Sequence, residues 1–340
     1  MSDPKQAGVR VTVAADFNDE TLQMLREISP RLQIERYFPD VPETVWGQTE
    51  VLYTIRHFPD PAQAPRLRWI QVHYAGIDGI LNRPIVQAED IEITSASGIH
   101  AVQMAEYCLA MMLAFEYKLP LMLNYQREIK WPEKRHEIFR PLTLRGQTLG
   151  IAGYGSIGRE LARQAVGLGM RVLATKRDLL RTTEDEGYYA PGTGDPAGDL
   201  PERLYPPEAL RTMVQECDYV VITVPLTEKT RHTINQDILN AMKKNAVLIN
   251  VARGAVVDEA ALISHLAAEK IRGAALDVFE EEPLPATSPL WNLANVILSP
   301  HVSGNTARYH EKAAEVFAEN LRRYLEGRPL LNRYNREHGY

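Results

Sequence analysis

Only two cysteines, Cys108 and Cys217, occur in the 340 residues, so no disulfide framework can hold this chain together. No C-x-x-C pair or H-E-x-x-H helix offers a zinc site. No apolar run approaches the ~20 residues needed to span a bilayer, and the N-terminus carries no charged-then-apolar signal pattern. A basic excess is also missing. Against 44 Asp and Glu stand 38 Lys and Arg, a formal charge of −6, which gives no field to attract nucleic acid or anionic lipid. These absences predict a cytoplasmic protein with neither nucleic acid nor membrane as partner. What is present is 45% apolar and 24% charged, the composition of a globular chain, and its length predicts two domains at roughly 150 residues each.

The most informative stretch begins at Thr148. An apolar run leads into Gly153-Tyr154-Gly155-Ser156-Ile157-Gly158, and an amphipathic run follows over 159–168, so the glycines lie between a strand and a helix. In a dinucleotide-binding βαβ unit the first glycine permits the turn and the second lets a pyrophosphate approach the backbone. The third lets helix pack on strand, and the helix N-terminus holds the phosphates. A second strand, 170–175, follows Gly169 and ends Thr175-Lys176-Arg177. An acidic residue there would bind the adenosine ribose of NAD, whereas Lys176 and Arg177 would attract a 2′-phosphate. The expectation is NADP in preference to NAD, with NAD possible.

The rest reads as an α/β alternation. Strands are expected at 9–15, 32–38, 51–55, 67–72 and 91–94, with a helix at 21–28. The turn Tyr74-Ala75-Gly76 follows one strand at the edge where open α/β sheets bind ligands. A long apolar helix covers 102–116. Residues 118–141 have no regular period and read as a surface-crossing connection, a candidate subunit contact. The acidic, Pro- and Gly-rich run 178–207 reads as structureless. Helices are then expected at 207–214, 236–242 and 259–268, and strands at 218–224, 246–251, 273–278 and 296–299. A last amphipathic helix, 307–326, should pack back on the first domain.

Three patches follow late strands, and each holds a residue type that acid–base chemistry needs. They are Asn250-Val251-Ala252-Arg253-Gly254, Asp277 to Glu282-Pro283, and Ser299-Pro300-His301-Val302-Ser303-Gly304. Singly, Arg253 reads as a surface ion-pair former, Glu282 as part of an acidic loop and His301 as a core histidine. At one edge of one sheet they form a candidate site.

In this order, together with Tyr74-Ala75-Gly76, 98–106, 224–230 and 251–258, the patches resemble the D-isomer-specific 2-hydroxyacid dehydrogenase family over nearly the whole chain. The resemblance implies an α/β fold of two flavodoxin/Rossmann-like domains with parallel sheets. A cofactor domain, 105–305, would be inserted into a substrate domain formed by 1–104 and 306–340. It implies a catalytic set of Arg253, Glu282 and His301. Asp277 would hold the nicotinamide carboxamide, and Val224, Pro225, Thr230, Val251, Ala252 and Gly304 would line the cofactor beside residues 153–158.

The implied reaction joins a small 2-keto or 2-hydroxy acid, glyoxylate or hydroxypyruvate first among them, to a nicotinamide. His301 would supply the proton, Glu282 would fix its ring, and the Arg253 fork would bind the substrate carboxylate. Tyr74, Ala75 and Gly76 would hold the other side of that carboxylate. The family also implies a homodimer built through the cofactor domains. Oxidation of 3-phosphoglycerate is a related expectation, and a nucleotide-sensing corepressor is one from another class. The chain departs from the family pattern at Lys176, where an aspartate is common, and in the long insertion after Asp178.

Overall fold

Valine, isoleucine and leucine runs bounded by Pro, Gly and Asp form two wholly parallel sheets in the computed structural model, which describes residues 8–183, 187–337 and 339. The first contains β1 (Val9–Ala14), β2 (Leu32–Arg36), β3 (Val51–Thr54), β4 (Trp69–Val72) and β5 (Glu92–Thr94), in the order β2-β1-β3-β4-β5. Every residue of β3 and β4 is buried, as required of central strands covered on both faces. One covering element is the helix Tyr309–Glu326. It sets Ala314, Phe317, Ala318 and Leu321 into the core, with the Phe317 ring 4.8 Å from Tyr53 and 5.4 Å from Trp69.

The second sheet holds β6 (Thr148–Ala152), β7 (Arg171–Thr175), β8 (Arg203–Tyr205), β9 (Tyr219–Ile222), β10 (Val247–Asn250), β11 (Gly273–Leu276) and β12 (Val296–Leu298). Its order is β12-β11-β10-β9-β6-β7-β8. The chain therefore builds outward from β6 in one direction, then returns to β6's other side and builds the opposite way. Such a switch point, here between β6 and β9, opens a crevice beyond the carboxyl ends of the strands. The glycine turn and all three late patches leave the sheet at that edge.

Packing divides the chain into 1–99, 185–190 and 306–340 as one unit, and 100–184 and 191–305 as the other. The sequence placed the first division at 104/105. It falls earlier because the helix Ala101–Glu116 belongs wholly to the second unit: Met104, Ala105, Cys108 and Met112 share a core with Leu161, Ala162 and Ala165 of the helix Ser156–Gly167. The separate return of 187–190 to the first unit was not foreseen. There the Tyr188 amide donates to Asn332 Oδ1 at 3.0 Å, and Gly98, at φ +93°, lets the Tyr188 carbonyl approach where a Cβ would stand 2.0 Å away.

Two other expectations are corrected. Residues 118–141 are not simply a connection but contain helices Leu119–Arg127 and Arg135–Ile138. Leu119–Arg127 buries none of its residues, so it has no core face to write a hydrophobic period into the sequence. Pro120 suits its first turn, where an N–H has no helical partner. The run 178–207 is not structureless throughout either: Arg203–Tyr205 pairs with β7 as the sheet's edge strand, too short and too close to prolines to register as a pattern.

The second unit also buries a charge. Glu116, at the end of its helix and 1% exposed, accepts hydrogen bonds from Arg272 at 2.7 Å, the Tyr219 hydroxyl at 2.5 Å and the Leu142 amide at 3.0 Å. Burial and this carboxylate push the Tyr219 phenol far up. The cluster ties the helix to β9 and to the residue before β11. Glu116→Ala, which removes the carboxylate shared by Arg272 and Tyr219 and leaves them the Phe115 and Met112 carbonyls, should cost about 3 kcal/mol, read as a lowered urea midpoint; a loss below about 1 kcal/mol would show that water replaces the carboxylate.

Candidate active site

The glycine turn is held from both sides. The Gly153 amide donates to Thr175 Oγ1 at 3.0 Å and the Tyr154 amide to the Thr175 carbonyl at 2.9 Å, while the Thr223 hydroxyl donates to the Gly153 carbonyl at 2.7 Å. Gly153 lies at φ +107°, and a Cβ on it would come 2.8 Å from Val224 Cγ1; one on Gly158 would come 2.4 Å from the Gly153 carbonyl oxygen. Those two glycines are demanded by packing. Gly155 differs: among the described residues nothing lies within 4 Å of its absent Cβ, and they leave the space above the N-terminus of Ser156–Gly167 open. No side chain caps that terminus, and a helix start presents N–H groups and partial positive charge to an anion. Open space over such a terminus fits the pyrophosphate of a dinucleotide.

Of the other residues expected to line a cofactor, Ser156 and Ile157 form the helix's first turn. Lys176 and Arg177 follow β7, with the Lys176 amide donating to the Tyr205 carbonyl at 2.9 Å. Val224 and Pro225 follow β9. Thr230 shapes their loop: its hydroxyl donates to the Pro225 carbonyl at 2.6 Å and accepts from the Thr227 amide at 2.8 Å. Val251 is buried and Ala252 half-buried beyond β10. The Tyr154 side chain points inward, 3% exposed, with its hydroxyl on Asp195, so only the backbone of this residue is at the turn's surface.

Asp277 sits at the end of β11 and is fully buried. Its carboxylate accepts from the Ser299 hydroxyl at 2.5 Å and from the amides of Val302 at 2.9 Å and Ser303 at 2.8 Å, and its carbonyl accepts from the His301 amide at 2.8 Å. It is thereby the anchor of the 299–303 loop. Tyr107 completes this set through a 2.6 Å hydrogen bond with the Ser299 hydroxyl. Burial, with the Asp277 charge adding to it, pushes the Tyr107 phenol up to about 12, so it stays a donor. Neither Ser299 nor Tyr107 was singled out as a site residue from sequence; neither lies in a motif whose spacing marks it. The Gly304 carbonyl accepts from His100 Nδ1 and Gln103 Nε2, each at 3.2 Å.

Arg253, Glu282 and His301 leave the neighbouring strands β10, β11 and β12. His301 Nδ1 lies 2.8 Å from Glu282 Oε2, with both side chains partly exposed. Glu282 Oε1 accepts from the Phe279 amide at 3.0 Å, which fixes the carboxylate before the imidazole meets it. The His301 backbone is left-handed at φ 54°, a region where histidine is enriched and β-branched residues are rare. Arg253 is half-buried and donates from Nη1 to the Ala252 carbonyl at 2.8 Å. Its loop is braced by buried Asn250, whose side-chain amide donates to the Arg253 carbonyl at 3.0 Å while its oxygen accepts from the Ala252 amide at 3.1 Å. A Cβ on Gly254 would stand 1.8 Å from the Phe279 carbonyl carbon. Glycine at this position lets the Arg253 loop close onto the loop that carries Glu282.

Tyr74, Ala75 and Gly76 belong to the first unit, just beyond β4. The Tyr74 carbonyl accepts from the Ala96 amide at 3.0 Å, and its half-exposed ring stands edge-on to His73 and Tyr309.

Residues 109–303 match the family described as D-isomer specific 2-hydroxyacid dehydrogenase, NAD binding domain. The chain is 33% identical to the glyoxylate reductase of Aeropyrum pernix, over 96% of each chain. It is 35% identical to that of Korarchaeum cryptofilum over 81% of its own length and 78% of the relative's. Among solved structures, a D-isomer specific 2-hydroxyacid dehydrogenase from Xanthobacter autotrophicus Py2 in complex with NADPH and MES superposes with a TM-score of 0.78 at 28% identity, covering 98% of this chain and 100% of that one. The switch-point sheet, the open glycine turn and these likenesses agree: the chain belongs to the D-isomer specific 2-hydroxyacid dehydrogenase family and is an NAD(P)-dependent oxidoreductase of 2-hydroxy acids.

Proposed function

We propose that this chain is an NADP-preferring reductase of small 2-keto acids, glyoxylate or hydroxypyruvate first among them, with Arg253, Glu282 and His301 as its catalytic set. The observation that carries this reading is the 2.8 Å contact between His301 Nδ1 and Glu282 Oε2. With Nδ1 committed to the carboxylate, Nε2 is the atom left to face a substrate. When bound, a reduced nicotinamide would supply hydride for the carbonyl carbon. His301 Nε2 gives its proton to the carbonyl oxygen, and Glu282 keeps the ring oriented and offsets its charge. The planar fork of Arg253 takes the substrate carboxylate and polarises the adjoining carbonyl. In the first unit, the amides of Ala75 and Gly76 are read as a second carboxylate-binding element, with Tyr74 beside them.

Lys176 and Arg177 at the end of β7 support the NADP preference, since both would attract a 2′-phosphate. The likeness to the NADPH-bound Xanthobacter structure supports it too. Exposed apolar side chains support a homodimer through the second unit. Leu119, Leu123, Ile129, Trp131 and Leu142 all lie in or near the two helices beyond Glu116, with Ile129 95% and Trp131 82% exposed, an arrangement that marks an interaction surface. Two cysteines buried as free thiols suit a cytoplasmic enzyme.

A panel of glyoxylate, hydroxypyruvate and other 2-keto acids, with 3-phosphoglycerate in the oxidative direction, should show turnover that is fastest with a small keto acid and NADPH. His301→Asn, chosen because asparagine tolerates the left-handed backbone, should lower kcat on the order of 100-fold or more while NADPH still binds by calorimetry; near-wild-type turnover would remove His301 from the proton-donor role. The wild-type enzyme should favour NADPH over NADH by about tenfold or more in kcat/KM, and Lys176→Asp should reverse the order. A tenfold advantage for NADH in the wild type would end that assignment. In sedimentation equilibrium the wild type should be a dimer and Ile129→Asp a monomer, and a monomeric wild type would refute the proposed interface.

A further inference from the structure

The acidic insertion beyond Asp178 is bonded to the glycine turn. Asp195 lies within it and is only 4% exposed. Its Oδ2 accepts from the Tyr154 hydroxyl at 2.5 Å and from the Leu200 amide at 3.2 Å, and its Oδ1 from the Gly198 amide at 3.1 Å. Burial pushes this carboxyl up, but the hydrogen bonds from Tyr154 and the neighbouring amides outweigh it and hold the group below the usual range. Arg159, fully buried in the first turns of Ser156–Gly167, donates to the carbonyls of Asp195 and Thr182 and lies 4.9 Å over the Tyr154 ring. The next residue, Glu160, accepts from the Gly194 amide at 2.7 Å. Residues from two parts of the insertion thus converge on the start of one helix.

Tyr154 is the residue between the first two glycines. Gly153 and Gly155 have no side chains with which to stiffen the turn, so the Tyr154 ring is the anchor the turn itself supplies, beside the Thr175 and Thr223 hydroxyls that hold its backbone, and that anchor ends on Asp195 beneath Arg159. A binding constellation of backbone amides must be held to about 0.5 Å by its supporting shell. We propose that the Tyr154–Asp195–Arg159 cluster positions the glycine turn for the dinucleotide pyrophosphate, so that the acidic insertion sets cofactor affinity through residues that do not touch the cofactor. Asp195 and Arg159 are positioning residues in this scheme, which rests on the dinucleotide-binding reading of the turn.

The pyrophosphate is common to both dinucleotides, so loosening the turn weakens both by the same factor. Lys176 and Arg177, by contrast, read a group that only one of them carries. Tyr154→Phe deletes one hydroxyl and keeps the ring; Asp195→Ala removes the acceptor. In calorimetry with the full-length chain, each substitution should raise the Kd of NADPH and of NADH about tenfold, leaving their ratio unchanged. For Asp195→Ala in steady-state assays, the loss should appear in the cofactor KM rather than in kcat. If both variants bind both dinucleotides within twofold of wild type, even with a lowered melting temperature, the cluster merely supports the fold and the proposal fails. A selective loss of NADPH alone would also overturn it, because the insertion would then act on the 2′-phosphate. A wild-type chain that bound neither dinucleotide would instead bring down the dinucleotide reading and this inference with it.

Discussion

The carboxylate of Asp277 is the constraint on which the active edge depends. A charge with no exposure to water is costly unless its lone pairs are met, and here they are met by a hydroxyl and two amides of the 299–303 loop. That loop can therefore adopt one shape, and the shape carries His301 in a left-handed backbone that a freer loop would abandon. The resemblance to known dehydrogenases assigned Asp277 to a cofactor carboxamide. Its hydrogen bonds give it a prior task, holding the histidine's own loop in place.

Around this anchor the parallel sheet provides register. Strands β10, β11 and β12 are paired residue for residue, so the loops that follow them emerge side by side at one edge. Two tight fits then set their depth. Glu282 is capped by the Phe279 amide, and Gly254 allows the Arg253 loop to lie directly on the backbone of residues 279 and 280. Arginine, glutamate and histidine thus come from separate segments yet share one mechanical base.

Much of this was legible in the sequence because parallel strands buried on both faces are written as unbroken apolar runs, and because the glycines at 153, 155 and 158 sit between two such signals. The late patches were legible for a related reason: each follows an apolar run, although the last, β12, is an edge strand that is only partly buried. What escaped reading has no periodicity. The helix Leu119–Arg127 lacks a buried face, and Arg203–Tyr205 is three residues at a sheet edge. Asp195 stands in a Pro- and Gly-rich run where an acid looks solvated. Its burial depends on Tyr154 and Arg159, which lie some forty residues earlier in the chain, so its partners can be found only in three dimensions.

The left-handed backbone at His301 has a consequence for how this enzyme can drift. Glycine, asparagine, aspartate and histidine enter that region most readily, so they are the replacements at position 301 that would cost the loop least, although Lys118, Ile129 and Glu269 show that the chain admits other residues there. A lineage that gave up the chemistry but kept the fold would be channelled towards asparagine, aspartate or glycine there. Valine, isoleucine or threonine at the same position would carry a backbone cost that the hydrogen bonds of the 299–303 loop would have to offset.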